Sequence, residues 1–357
     1  MNKQHQQDVL TFEKEWSKLW FQFILDNDDK PWNFEEINNN PNITADHILE
    51  YPDFPWDWYY LSSNTNIPFN LVLDKVNEDR DFEWNWFLLS ANPIVKIEHV
   101  FKYPDLDWDW TGLSMNPNIT FEIILNNPEL SWIPEWVSRN PNITYEDTQM
   151  YPDWEWDWCE LSGNINFTLE HVLKHPEKIW NWAYLTTKPT IMFEDIIAHP
   201  ELPWNCKMIS LNPNITMDNI LAHYSKHWVL KAWNFNDISS NPNINLDIVL
   251  SNINIQWNWF ALSFNKNITL EQVLMHPELP WNYYALSRNP NILLQDILSH
   301  PEIDWDYYYL SANSMDLDKQ KYVEKRVKQL EQERKMVDKI GEKKLNADIE
   351  MYIKQFL

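Results

Sequence analysis

The chain has 357 residues, a formal net charge of −25, 44% hydrophobic residues, and 23 tryptophans against three glycines. That is ample apolar material for a core, yet no stretch approaches the roughly 18 uninterrupted apolar residues of a membrane span. Gly112, Gly163 and Gly341 are too few to build a phosphate-cradling loop or a dinucleotide fingerprint, and the acidity argues against a phosphate-backbone partner.

Residues 1–31 come first. "MNKQHQQDVLTFEKEW" carries charges where a secretory leader needs an apolar segment, and Cys159 and Cys206 offer no disulfide framework, so a reducing cytoplasm is the expected compartment. "FEKEWSKLWFQFIL" is amphipathic, and its Ile24 and Leu25 stand 24 residues before Ile48 and Leu49. The segment therefore reads as a degenerate first repeat serving as an N-terminal helical cap.

Residues 32–313 are periodic. "NPNIT" occurs at Asn40, Asn116, Asn140 and Asn212, and equivalent anchors complete a series of twelve: Asn40, Asn64, Asn92, Asn116, Asn140, Asn164, Lys188, Asn212, Asn241, Asn265, Asn289 and Asn313. Nine of the eleven steps are 24 residues and the others 28 and 29, while a tryptophan stands eight residues before every anchor, from Trp32 to Trp305. The longer steps carry their extra residues in "VNEDRDFEW" and "HYSKHWVLKAW", as loop insertions upstream of the tryptophan.

Each repeat reads as two short helices and two turns. In "NPNITFEIILNNPELSW", Thr120 is placed to cap a helix, Ile119 and Ile124 have the spacing of a hydrophobic staple, Glu122 complements the dipole, and Pro128 ends the run. In "WDWYYLSSN", the Asp or Asn that follows the tryptophan in eleven repeats, Ile133 being the exception, is placed to cap a second helix. Twenty-four residues leave no room for two full helices, so at least one is a one- or two-turn segment, α or 3₁₀. The expected fold is an all-α superhelical solenoid of about twelve such repeats with helical caps.

The frame "LSxNPNITxExIL" followed by proline and tryptophan resembles the leucine-rich variant repeats, whose 24-residue units stack as alternating α and 3₁₀ helices. It is still more similar to the Asn-Pro-Asn-Ile and tryptophan repeat proteins encoded in families by giant DNA viruses. The resemblance covers about Trp32 to Asn313 and departs from the leucine-rich variant pattern in its tryptophan content and its "WDW". It implies the fold and a viral origin, with no catalytic activity and no fixed partner.

Residues 314–357 break the pattern with a lysine- and glutamate-rich helical tail. Val323, Leu330 and Val337, with Val327 and Ile340, form one apolar stripe, which suits packing on the last repeat, a self-associating coil or a mobile tail. From Asp316 onward eleven basic residues face nine acidic ones, so residues 1–315 carry −25 − 2 = −27. Part of that acid forms a column just after the helix-ending prolines, including Asp153, Glu177 and Glu201, which suits basic partners or simple solubility.

Candidates for chemistry are few. His171/His175 and His223/His227 have a metal-compatible spacing but lack the intervening glutamate of a zinc protease, and five histidines share one turn position, so no metal or cofactor is expected. Cys159 and Cys206 read as buried thiols. The most variable position follows the second aromatic of each repeat, and its aromatic members Tyr59, Phe87, Phe260, Tyr284 and Tyr308 are candidate anchors for a protein partner, basic if the acidic columns take part. The expected function is a non-enzymatic protein-interaction scaffold. The alternative is a small-molecule or carbohydrate module using the exposed aromatics.

Overall fold

A computed structural model describes the backbone of residues 3–78, 83–223 and 233–354. Among them every regular element is helical, in the order helix–turn–helix–turn repeated along the chain. Both helices of the pair are short α segments: Phe121–Asn126 after the Asn-Pro turn and Trp110–Met115 after the tryptophan are typical at six residues each. Helices this short are not stable alone, so their ends and packing must hold them. Thr120 Oγ1 accepts from Ile123 N at 3.3 Å, and Asp109 Oδ1 accepts from Gly112 N at 2.9 Å. Ile133, without a capping side chain, is followed by Pro134 at the first helical position, where a missing N–H costs nothing.

Repeats adhere through two polar ladders set among the apolar residues. The anchor asparagine is buried: Asn116 Oδ1 accepts from Asn118 N within its own turn, while its Nδ2 donates to the carbonyls of Ser90, Asn92 and Val95 in the preceding repeat, at 2.7, 3.0 and 3.4 Å. Two residues upstream of the anchor stands a buried serine in ten of the twelve repeats, with Asn38 and Thr186 in its place in the other two. Ser90 Oγ, for instance, accepts from Asp109 N of the next repeat at 3.0 Å. Around them the conserved spacing of aromatics becomes an edge-on stack, as where Trp58 meets Trp84, Trp110 meets Trp132, and Trp158 meets Trp180, with centroids 5.1 to 5.3 Å apart.

The same three contacts join the last repeat to the first. Asn40 Nδ2 donates to the carbonyls of Ser311 and Asn313 at 3.0 and 3.1 Å, Asn33 N donates to Ser311 Oγ at 2.9 Å, and Trp32 stands edge-on to Tyr307 at 5.1 Å and 87°. The solenoid is thus a closed ring of twelve repeats, each turning about 30° from its neighbour. In the inner layer, the terminal faces that sequence reasoning assigns to helical caps are covered by each other.

The helices after the tryptophans pack backbone to backbone with their equivalents in neighbouring repeats, whereas the helices after the Asn-Pro turns stand further apart. In a closed ring the more closely set layer is the inner one. The closest approach falls at Gly112, where a Cβ would lie 2.5 Å from the Phe87 carbonyl oxygen and 2.9 Å from Ser90 Cβ, so only glycine fits. With helices about 9 Å apart, twelve inner helices form a circumference of roughly 110 Å and enclose a space roughly 20 Å across. That is wide enough for an α-helix with its side chains, about 10–12 Å in diameter.

Two long helices meet at the seam. The N-terminal helix, Lys3–Leu25, buries Trp16, Trp20, Phe21 and Ile24 in the ring, and Trp32 Nε1 donates to Asn27 O at 2.7 Å as Trp56 Nε1 does to Tyr51 O at 2.9 Å. Its last turns therefore take the place of an outer helix. The C-terminal helix, Asp316–Lys354, leaves the ring at Met315, whose φ of 48° is the sole positive value at a non-glycine among the described residues. Its apolar stripe lies on the N-terminal helix and not on the last repeat: Val323 and Val327 bury against Phe12, and Arg334 pairs with Asp8 at 2.6 Å. Ring closure is the reason, because it sets the two ends of the chain side by side. Val337 of the stripe is exposed, and the Ile340 side chain lies outside the described residues.

One anchor is not asparagine. Lys188, 6% exposed, donates from Nζ to the carbonyls of Asn164 and Phe167, both at 2.5 Å, with no carboxylate partner among the described residues, and burial lowers its pKa from 10.5 to about 8. The unfolded chain then binds more protons than the folded one between about pH 8 and 10.5, so stability rises with pH across that window and the full cost is felt below it. Lys188→Asn is expected to stabilise the protein at pH 7 by up to roughly 3 kcal/mol, the gain shrinking above about pH 8. Urea titrations of both proteins at pH 7 and 10 check this, and an equal difference at both values would contradict it.

Candidate functional site

The residue after the second aromatic of each repeat lies on an inner helix, on the side away from the buried leucine and serine. Tyr59, Phe260, Tyr284 and Tyr308 are each about half exposed, and Phe87 is 37% exposed. In the linear sequence these aromatics fall into two groups, near the start and near the end. Ring closure joins them. Read around the wall, the order is Phe260, Tyr284, Tyr308, Glu35, Tyr59 and Phe87, one arc of six consecutive repeats centred on the seam. The remaining arc carries Thr111, Glu135, Cys159, Ala183, Lys207 and Asn236 at the same position.

The next position along each inner helix, which sequence reasoning passed over, sits at the joint between neighbouring inner helices: Gly112, Ala261 and Ala285 are buried there, whereas larger residues such as Glu36, Tyr60 and Tyr309 are half-buried beside the aromatics. Tyr59 and Tyr60 stand edge to face at 5.4 Å, and Tyr308 and Tyr309 do so at 5.8 Å, so the two repeats flanking repeat 1 each present a tyrosine pair. Repeat 1 contributes Glu35 and Glu36 between them, and hydrogen bonding to Glu35, ahead of burial, holds the Tyr60 hydroxyl above its ordinary pKa. Paired edges and faces with carboxylates between them form niches for side chains more than a flat platform for a sugar ring.

The acidic candidates lie elsewhere. Asp153, Glu177 and Glu201 are exposed in the turns that enter repeats 6, 7 and 8, on the far side of the ring from the aromatic arc. The structure does not bring the two sets together. Glu177 and Glu201 are also partly engaged, facing His175 Nδ1 and His199 Nδ1 at 3.4 and 3.2 Å, and each carboxyl is held below its ordinary pKa first by its own backbone N–H and then by the histidine.

The histidine and cysteine candidates have structural partners. His171 stacks on Tyr145 at 4.0 Å, and His175 Nε2 lies 2.9 Å from the Tyr145 hydroxyl, so the pair is divided between an aromatic contact and a hydrogen bond. His227 and the side chains of His223 and Cys206 lie outside the described residues. Among the described residues no cluster of three potential metal ligands occurs, and no helix is long and apolar enough to cross a membrane. Cys159 is a half-buried thiol whose Sγ lies 3.6 Å from Asn181 Nδ2. No protein-family profile, curated protein or solved structure matches the chain.

Proposed function

We propose that the chain is a non-enzymatic, ring-shaped scaffold that holds a protein partner against the inner wall of its seam. The observation behind this reading is that closure gathers Phe260, Tyr284, Tyr308, Tyr59 and Phe87 into one exposed arc, while the opposite wall lacks aromatics at that position. Rigid aromatic anchors held by a preorganised frame are the usual source of binding energy at protein interfaces, since little conformational entropy is lost on contact. The viral origin implied by the repeat resemblance makes host cytoplasmic proteins the partners to search.

A photo-crosslinking residue placed at Tyr284 should capture a discrete partner from native cytoplasm, and the same residue at Ala183 should not. Tyr284→Ala combined with Tyr308→Ala should weaken that association at least tenfold, as expected for two lost anchors of about 1–2 kcal/mol each. Equal capture at both positions would refute an arc-specific binding face.

A further inference from the structure

The ring contains an occupied version of a cation niche, and its seam carries the same frame without the cation. In repeats 5, 6 and 7 the fourth residue before each anchor is Trp136, Glu160 and Tyr184. Arg139, the residue before the repeat 5 anchor, places its guanidinium 5.9 Å from the Trp136 ring and 5.9 Å from the Tyr184 ring, with Nη1 3.6 Å from Glu160 Oε2. A cation held over two aromatic faces and beside a carboxylate gains both ring-quadrupole and charge attraction.

Repeats 12, 1 and 2 repeat this order across the seam as Tyr309, Glu36 and Tyr60. No other run of three repeats places an acid between two aromatics there; the other six residues are Leu88, Gly112, Met208, Asp237, Ala261 and Ala285. The residue in the place of Arg139 is Ala312, so this frame lacks a built-in guanidinium. Glu35 adds a second carboxylate, and Tyr308 and Tyr59 extend both tyrosine walls.

We propose that the seam binds an arginine or lysine side chain of a basic partner segment, seated on Glu36 between Tyr309 and Tyr60. This rests on the inner wall being a protein-binding face, and it names the chemistry that face selects. The interior admits such a segment as a helix, and the acidity of the ring steers it inward.

The test uses the full chain and two short synthetic amphipathic peptides, one of arginine and leucine and one of glutamate and leucine, in calorimetric titrations at physiological salt. The arginine peptide should bind with one peptide per ring and the glutamate peptide should not. Ala312→Arg supplies the cation from within and should weaken binding at least tenfold with an unchanged melting curve. Glu36→Gln should weaken it similarly, which keeps the test decisive if the first variant folds poorly.

Wild-type affinity in both Ala312→Arg and Glu36→Gln would overturn the proposal. So would an equal loss in a far-side variant carrying Asp153→Asn, Glu177→Gln and Glu201→Gln, because bulk charge would then explain the binding. A partner still crosslinked at Tyr284 in Ala312→Arg would leave the scaffold reading intact while removing this one.

Discussion

Asn140→Asp should destabilise the protein by about 4 kcal/mol, although it conserves size and turn-forming chemistry. Asn140 is fully buried, and its Nδ2 donates to the carbonyls of Ser114, Asn116 and Ile119 at 2.9, 3.0 and 3.1 Å, while Oδ1 accepts from Asn142 N at 2.9 Å. An aspartate keeps the last of these bonds and loses the other three. Worse, it sets a charged oxygen against three carbonyl oxygens in a site closed to water, where an uncompensated charge is expensive. Urea unfolding at neutral pH measures the loss. A change below about 1 kcal/mol would mean that the anchor serves only its own turn, for which Asp and Asn are nearly equivalent.

Trp156→Ala should cost a further-reaching 3–5 kcal/mol, the range for deleting a large buried aromatic. Trp156 is 9% exposed, its ring lies 5.0 Å from Phe121 and 6.0 Å from Trp154, and its indole N–H donates to Tyr151 O at 2.9 Å. That hydrogen bond ties the inner helix of one repeat to the end of the outer helix before it. Trp156→Phe retains most of the buried area and loses only the bond, so it should cost about 1 kcal/mol. Similar melting temperatures for wild type and Trp156→Ala would show that the tryptophan column is not core.

The period and the caps at Thr120 and Asp109 were legible because each depends on residues close in sequence. The double duty of the anchor asparagine was not, because the turn alone explains an Asn-Pro-Asn motif and leaves its Nδ2 unaccounted for. Closure was illegible for a different reason. It depends on the small difference in spacing between inner and outer layers, set by many side chains together and by close approaches such as that at Gly112. The aromatic anchors were visible as residue types, yet Tyr308 and Tyr59 lie 249 positions apart in numbering and flank Glu35 from both sides only once the ends meet. Asp153, Glu177 and Glu201 illustrate the converse: a shared column implies a shared environment, not a shared site with residues of another column.

An open array of repeats can gain or lose a unit and remain well packed, since only its length changes. This molecule has no such freedom. Deleting one 24-residue unit would leave a gap of about 30° to be spread over the remaining joints or opened at one of them, and inserting one would overlap the ends. The count of repeats is therefore quantised by geometry, whereas the length of the outer segment before each tryptophan is not. The two departures from the 24-residue spacing fall between an Asn-Pro turn and the next tryptophan, at the approaches to Trp84 and Trp233, and at the first of them the outer helix, Phe69–Glu78, is itself lengthened to ten residues where the sequence suggests a loop insertion. Length variation in such a chain is confined to the places where it leaves the circumference unchanged.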